Sequence, residues 1–218
     1  MPKSLERQGL SLRGGFNFDK GEDAPIGASG QPAKAVLLVG NVGASFWAHF
    51  QRWYTAQAGR TKNPLDEWSR EVIGAAGALV GARTVLPNDQ PFLPFQQWAM
   101  RAEALRASPL GILMHPEYGL WHAYRGALLL DSALPEEGTL AAVHLCDECL
   151  EKPCLKACPV DAHHLTGFAY QRCLEHVRSA EGVNCRAAGC MDRNACPYGT
   201  MFRYPRAVQQ FFTEAFAR

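Results

Sequence analysis

The sequence predicts an α+β protein in two parts, an alternating strand-and-helix domain followed by an irregular cysteine-bound module. Three observations carry this expectation. Between Ala35 and Leu130, short continuous apolar runs alternate with stretches of helical period. All eight cysteines lie between Cys146 and Cys196. A last stretch, Pro205 to Ala217, reads as a closing amphipathic helix.

The elements follow in order. Gly14 to Gly30 is glycine-rich and polar and reads as an arm or loop. Ala35 to Gly40 is a continuous apolar run, a buried strand by length, although period alone does not exclude a short buried helix. Phe46, Phe50, Trp53 and Tyr54 then fall on one helical face, most simply a core face. Asn63-Pro64 opens a second helix, with a capping residue followed by proline at the first helical position. Leu65, Trp68, Val72 and Ile73 form its apolar side. Arg83 to Leu86 is a short strand. Pro94 starts a third helix with Phe95, Trp98, Ala102 and Leu105 on one face. Leu110 to Met114 and Arg125 to Leu130 are strand-like, and His115 to Gly119 between them is a turn. The expected division is an arm over 1–34, a first domain over 35–140, a cysteine module over 141–200 and a closing helix over 201–218.

Composition narrows the function. The 218 residues carry a formal charge of +1 and are 47% hydrophobic, enough for a core without staples. No basic block points to nucleic acid. No apolar run approaches the ~20 residues of a membrane helix. The first residues lack the apolar core of a secretory signal, so a reducing, cytoplasmic setting is expected.

Eight local cysteines admit three readings. A disulfide scaffold suits small chains in oxidising compartments. Structural zinc prefers paired Cys-x2-Cys units, and only Cys146–Cys149 is one. The third is iron–sulfur. Cys146-x2-Cys149-x4-Cys154-x3-Cys158-Pro159 is close to the bacterial ferredoxin run, with two extra residues before Cys154. Cys173-x11-Cys185-x4-Cys190-x5-Cys196-Pro197 is a looser second run. In two-cluster ferredoxins the fourth cysteine of each run serves the other cluster. The same crossing here assigns Cys146, Cys149, Cys154 and Cys196 to one [4Fe–4S] cluster. It assigns Cys158, Cys173, Cys185 and Cys190 to the other, with Cys173 the weakest member.

The stretch Gly111 to Gly126 orders His115-Pro116, Tyr118-Gly119, Trp121 and Arg125-Gly126. It resembles the cobalamin-processing, CblC-type family. Ala35 to Gly40 and Asn63-Pro64-Leu65-Asp66 look similar too. The order of domains, and Arg172-Cys173 before a second run ending in Cys-Pro, is similar to epoxyqueuosine reductases and reductive dehalogenases. Together the resemblance spans roughly Ala35 to Pro197. It implies a nitroreductase-like corrinoid-binding domain joined to a bacterial-ferredoxin-like module with two [4Fe–4S] clusters. It departs from both relatives. CblC-type proteins take electrons from a thiol or flavin and carry no cluster. Epoxyqueuosine reductases continue into a helical-repeat tail for transfer RNA.

The resemblance also implies roles. Cobalamin would bind as substrate or cofactor, with His115, Tyr118, Trp121 and Arg125 as its contacts. The bland roles beside these are a hydrogen-bonded turn histidine, core aromatics and a structural ion pair. His122 should alternate with Trp121, one facing in and one out. His144 could tune a cluster. His163 and His164 read as surface residues. Asp89 and Tyr124 are the candidate acids for chemistry on an organic substrate, and Asn88-Asp89-Gln90 reads equally as a plain turn. The leading expectation is an oxidoreductase that reduces cobalt and removes the upper axial ligand of cobalamin. It would be fed by a flavoprotein or ferredoxin, and a homodimer is possible by analogy with nitroreductases. A cobalamin-dependent reductive enzyme and a two-cluster electron carrier without corrinoid are the alternatives.

Overall fold

A computed structural model of the chain describes residues 2–57, 61–135, 142–164 and 166–218. These residues form two compact units. The first comprises 1–104 and 123–142, the second 105–122 and 143–218.

The first unit is built on a four-stranded sheet in the order β1-β2-β4-β3. The strands are β1 (Ser11–Asn17), β2 (Ala35–Val42), β3 (Arg83–Val85) and β4 (His122–Leu130). β1 runs antiparallel to β2, and β3 antiparallel to β4. The expected run at Ala35 is the interior strand β2. Ala35, Val36, Leu38 and Val39 are all buried, which is why it reads as continuously apolar rather than alternating. β4 carries the same signature at Ala127, Leu128 and Leu129.

Four helices belong to this unit: α1 (Pro2–Glu6), α2 (Trp47–Ala56), α3 (Pro64–Ala78) and α4 (Phe95–Glu103). The aromatic stripe of α2 is core at its first half. Phe46 and Phe50 are fully buried against Trp68, while Trp53 and Tyr54 are half-buried. Pro64 opens α3 as read, but the Asn63 side chain makes no cap hydrogen bond. In α4, Phe95, Trp98 and Ala102 are buried. Ala104 turns left-handed at φ +52 and ends that helix, so Leu105 lies beyond it.

The expected arm over 1–34 is corrected. β1 pairs with β2 from Ser11↔Gly40 to Asn17↔Ala35, with a bulge between Leu12 and Gly15. Glycine masked the strand because the bulge requires it. Gly14 sits at φ +80, which only glycine adopts at little cost. A Cβ on Gly15 would meet the Val36 carbonyl oxygen at 2.4 Å.

The second unit is irregular. Its helices are α5 (Leu145–Glu148), α6 (Tyr170–Arg178), α7 (Val183–Ala188), α8 (Met191–Ala195) and α9 (Arg206–Phe216). Two-residue ribbons pair Arg106–Ala107 with Leu113–Met114, and His163–His164 with Gly167–Phe168. The strand expected over Leu110–Met114 is thus only its last two residues. Residues 105–122, expected in the first domain, pack in this unit. Their turn at Gly119 lies backbone against backbone on Tyr198-Gly199. A Cβ on Gly119 would meet the Tyr198 carbonyl oxygen at 2.4 Å, and one on Gly199 the Tyr118 oxygen at 2.2 Å. The boundary expected at 140/141 lies outside the described residues. The closing helix is anchored by Gln209, whose amide donates to Tyr204 O at 2.9 Å and exchanges hydrogen bonds with Asn194.

Two glycines of α3 separate contact from propensity. A Cβ on Gly74 would meet nothing within 4 Å, whereas one on Gly77 would lie 2.6 Å from Thr84 Oγ1 and 3.1 Å from Leu128 Cδ2. Gly74→Ala is expected to stabilise the protein by about 0.4–1 kcal/mol. Gly77→Ala is expected to destabilise it by roughly 1–3 kcal/mol through overpacking. Denaturant unfolding of the two variants checks the sign of each.

Candidate metal centre

Four thiols surround each of two cavities in the second unit. Cys146, Cys149, Cys154 and Cys196 line a tight cavity of about 10 Å³ beside Met114 and Leu120. Cys158, Cys173, Cys185 and Cys190 line a wider one of about 300 Å³. None of the eight is in a disulfide.

Short elements set these positions. Cys146 lies in α5 and Cys149 directly follows it. Cys154 sits in a 3-10 turn, Pro153–Leu155. Cys173 and Cys185 are carried by α6 and α7. α8 is flanked by Cys190 and Cys196, so its two ends serve different cavities. Lys152 takes a left-handed conformation at φ +40, and its ammonium donates to the carbonyls of Cys146 and Cys149 at 2.9 and 3.1 Å. That closes the loop carrying three thiols of the first set. The Ala162 N–H donates to Cys158 Sγ at 3.3 Å.

Electrostatics follow the same partition. Burial pushes the Cys154 thiol up to about 11, reinforced by Cys196, Cys146 and Cys149. Burial likewise pushes Cys173 up to about 11, reinforced by Cys190, Cys158 and Cys185. Burial also raises Cys146, helped by Cys196, and Cys185, helped by Cys158. Each of these thiol–thiol interactions stays within one set of four. Cys190 is exposed as a residue, yet burial is the chief cause raising its thiol. Cys190 lines the wider cavity.

The chemistry of the donor set can be tested against a bound group. Four soft thiolates in a low-dielectric wall suit iron–sulfur or zinc. Among the described residues, no three His, Cys, Asp or Glu side chains are grouped to hold a metal ion. Each set of four lines a cavity, the wider of about 300 Å³ and the tighter of about 10 Å³, room for no more than a water molecule.

The residues read as corrin contacts are held in several ways. His115 Nδ1 accepts the N–H groups of Glu117 and Tyr118, both at 3.1 Å, and its ring stacks on Tyr118 at 4.0 Å. That is the turn-histidine role. Trp121 is wholly buried, with Tyr204 edge-on at 5.4 Å and the Arg193 guanidinium 4.6 Å from its ring. It is a core residue, and its indole N–H meets no partner among the described residues. His122 is buried as well, with Nε2 2.9 Å from Leu113 O. The expected alternation fails here because both residues lie where the chain enters β4 from a turn. Arg125 belongs to the first unit, where its Nε donates to Asn41 Oδ1 at 2.8 Å.

The candidate acids are committed elsewhere. Asp89 accepts the Leu86 N–H at 2.8 Å and pairs with the Arg70 guanidinium. Burial pulls its carboxyl upward, but the Arg70 and Leu86 bonds outweigh this and hold it below the usual range. It is a carboxylate closing a turn, not a poised proton donor. The Tyr124 hydroxyl donates to Glu103, whose carboxylate also takes a two-pronged bond from buried Arg13 at 3.0 and 2.9 Å. Burial, and then the Glu103 charge, push the phenol well above its ordinary value.

Near the thiols, His144 Nδ1 is buried and meets no partner among the described residues. Burial lowers its pKa, as does Arg106. His163, expected at the surface, is instead partly buried. Its Nδ1 lies 2.8 Å from Asp192 Oδ2, its ring stacks on Phe168 at 4.5 Å, and it lines the wider cavity. His164 does face outward, with Nδ1 2.9 Å from Thr166 Oγ1. Asp192 itself is fully buried and escaped the sequence reading. Nothing in Met191-Asp192-Arg193-Asn194 distinguishes it from a solvent-facing acid.

With this geometry in view, solved structures supply a likeness. The chain superposes on a C. elegans B12-trafficking protein CblC, a homologue of human MMACHC, with a TM-score of 0.56 at 13% identity. That match covers 99% of this chain and 92% of the other. The fold is CblC-like. A selenomethionine-labelled epoxyqueuosine reductase gives a TM-score of 0.51 at 15% identity over 82% of this chain. This chain spans about half of that reductase, 52% of its length. No protein-family model and no curated protein matches the sequence. No helix among the described residues is long and apolar enough to cross a membrane.

The Tyr124 network has a pH signature. A group whose folded pKa is raised contributes stability that is complete below its unfolded pKa, here 10.0, and is lost as pH rises past it. Stability measured by denaturant should therefore hold to about pH 10 and fall progressively as pH rises beyond it. Tyr124→Phe should lose less above that pH, while costing about 0.5–1.5 kcal/mol at neutral pH for the missing hydrogen bond.

Proposed function

We propose that this chain is an iron–sulfur, corrinoid-handling reductase that reduces the cobalt of cobalamin and releases its upper axial ligand. The observation that carries the proposal is the division of eight thiols, four and four, around two cavities, in a chain with a CblC-like fold. The division matches the crossed assignment of two ferredoxin runs.

In this reading Cys146, Cys149, Cys154 and Cys196 hold one [4Fe–4S] cluster, and Cys158, Cys173, Cys185 and Cys190 the other. The clusters supply one-electron transfer when bound. The residues of the chain do the rest. Lys152 fixes the Cys146–Cys154 loop, and the Ala162 N–H holds the Cys158 sulfur. A hydrogen bond to a ligand sulfur is one of the levers that set a cluster's potential. Cobalamin is the substrate. Its cobalt keeps fewer axial ligands when reduced, so each electron delivered favours loss of the upper one. The electrons come from an external flavoprotein or ferredoxin. His115 and Tyr118, a stacked pair in the 115–119 turn, remain the proposed corrin contacts. Trp121 does not, because no part of it reaches the surface.

An acid-dependent reaction on an organic substrate is less well supported. It needs a proton donor, and both Asp89 and Tyr124 are bound into structural pairs.

Two experiments check the proposal. Anaerobic reconstitution with iron and sulfide should load about eight of each per chain. Cys196→Ser and Cys190→Ser should each lose about half, with their effects adding in the double variant because the sites are separate. Cys146→Ser should add nothing to Cys196→Ser. Titration of the loaded protein with cob(II)alamin, followed by visible and EPR spectra, should shift the cobalt signal and saturate at about one equivalent. An unchanged cobalt signal with intact cluster spectra would leave an electron carrier without a corrinoid.

A further inference from the structure

Two segments of the chain pass from one thiol set to the other. One is Cys154 to Cys158, the other Cys190 to Cys196, and each begins in one set and ends in the other. Asp192 sits in the second segment, in α8, with no exposed surface. Its Oδ1 accepts the Ala157 N–H at 3.1 Å, in the first segment. Its Oδ2 lies 2.8 Å from His163 Nδ1, just beyond Cys158. One carboxylate thus ties both crossing segments together. α8 also packs directly on the 3-10 turn that carries Cys154.

We infer that Asp192 is a shared positioning residue, whose buried charge acts on both metal sites and lowers both reduction potentials together. This rests on the two-cluster reading above. Reduction adds an electron, and a fixed negative charge nearby opposes it. Because Asp192 is fully buried, that opposition is weakly screened. The carboxylate touches the chain beside both sets: Ala157, whose N–H it accepts, directly precedes Cys158, and α8 packs on the turn that carries Cys154. Net charge and hydrogen bonding are the protein's main levers on such potentials.

Asp192→Asn isolates the charge. The asparagine oxygen still accepts the Ala157 N–H, and its amide can donate to His163 Nδ1 in the other tautomer. The test is a redox titration of the anaerobically loaded wild type and variant with a chemical reductant, followed by EPR, with iron counted in each. The expected result is unchanged iron content and an upward shift of both midpoint potentials. Unmoved potentials, or a shift in one cluster alone, would overturn the inference. Asp192→Ser is a second neutral variant, able to accept the same N–H, should asparagine fail to fold. If neither neutral variant loads iron while the wild type does, the carboxylate serves assembly alone and the inference falls. A wild type that takes up no iron would instead sink the two-cluster reading itself.

Discussion

The second unit depends on burying thiols around two spaces without long helices to hold them. α5, α7 and α8 have four, six and five residues. Isolated helices of that length do not persist in water. What keeps them in place is polar contact: Lys152 on two cysteine carbonyls beside α5, Arg186 of α7 on the Val177 and Ser179 carbonyls, Asp192 across two crossing segments, and Gln209 and Asn194 joining α8 to α9. Each is a polar bond made where the chain cannot satisfy itself by regular structure.

The first unit solves an easier problem. β2 and β4 are buried along most of their length, and α2 and α3 bring Phe46, Phe50 and Trp68 together as one aromatic block. Two groups of its charged residues are tied into structure. Arg13, Glu103 and Tyr124 form a closed network, and Arg70 with Asp89 closes a turn. Chemistry that needs a free acid has little to draw on among these residues.

Periodicity and punctuation alone point to α3, α4, α9 and the turn at His115, because apolar runs, proline and glycine act locally, whereas for β2 period alone does not exclude a short buried helix. The cysteines, expected in two sets of four, line two cavities, four to each. Tertiary structure decided the rest. β1 hid behind two glycines that a bulge and the Val36 carbonyl demand. Residues 105–122 changed unit because two glycine backbones meet at Gly119 and Gly199, a contact between distant segments. Asp192 and His163 became a buried pair only when the two crossing segments closed on each other. Burial of a polar residue depends on what the rest of the chain brings to it, and no local pattern records that.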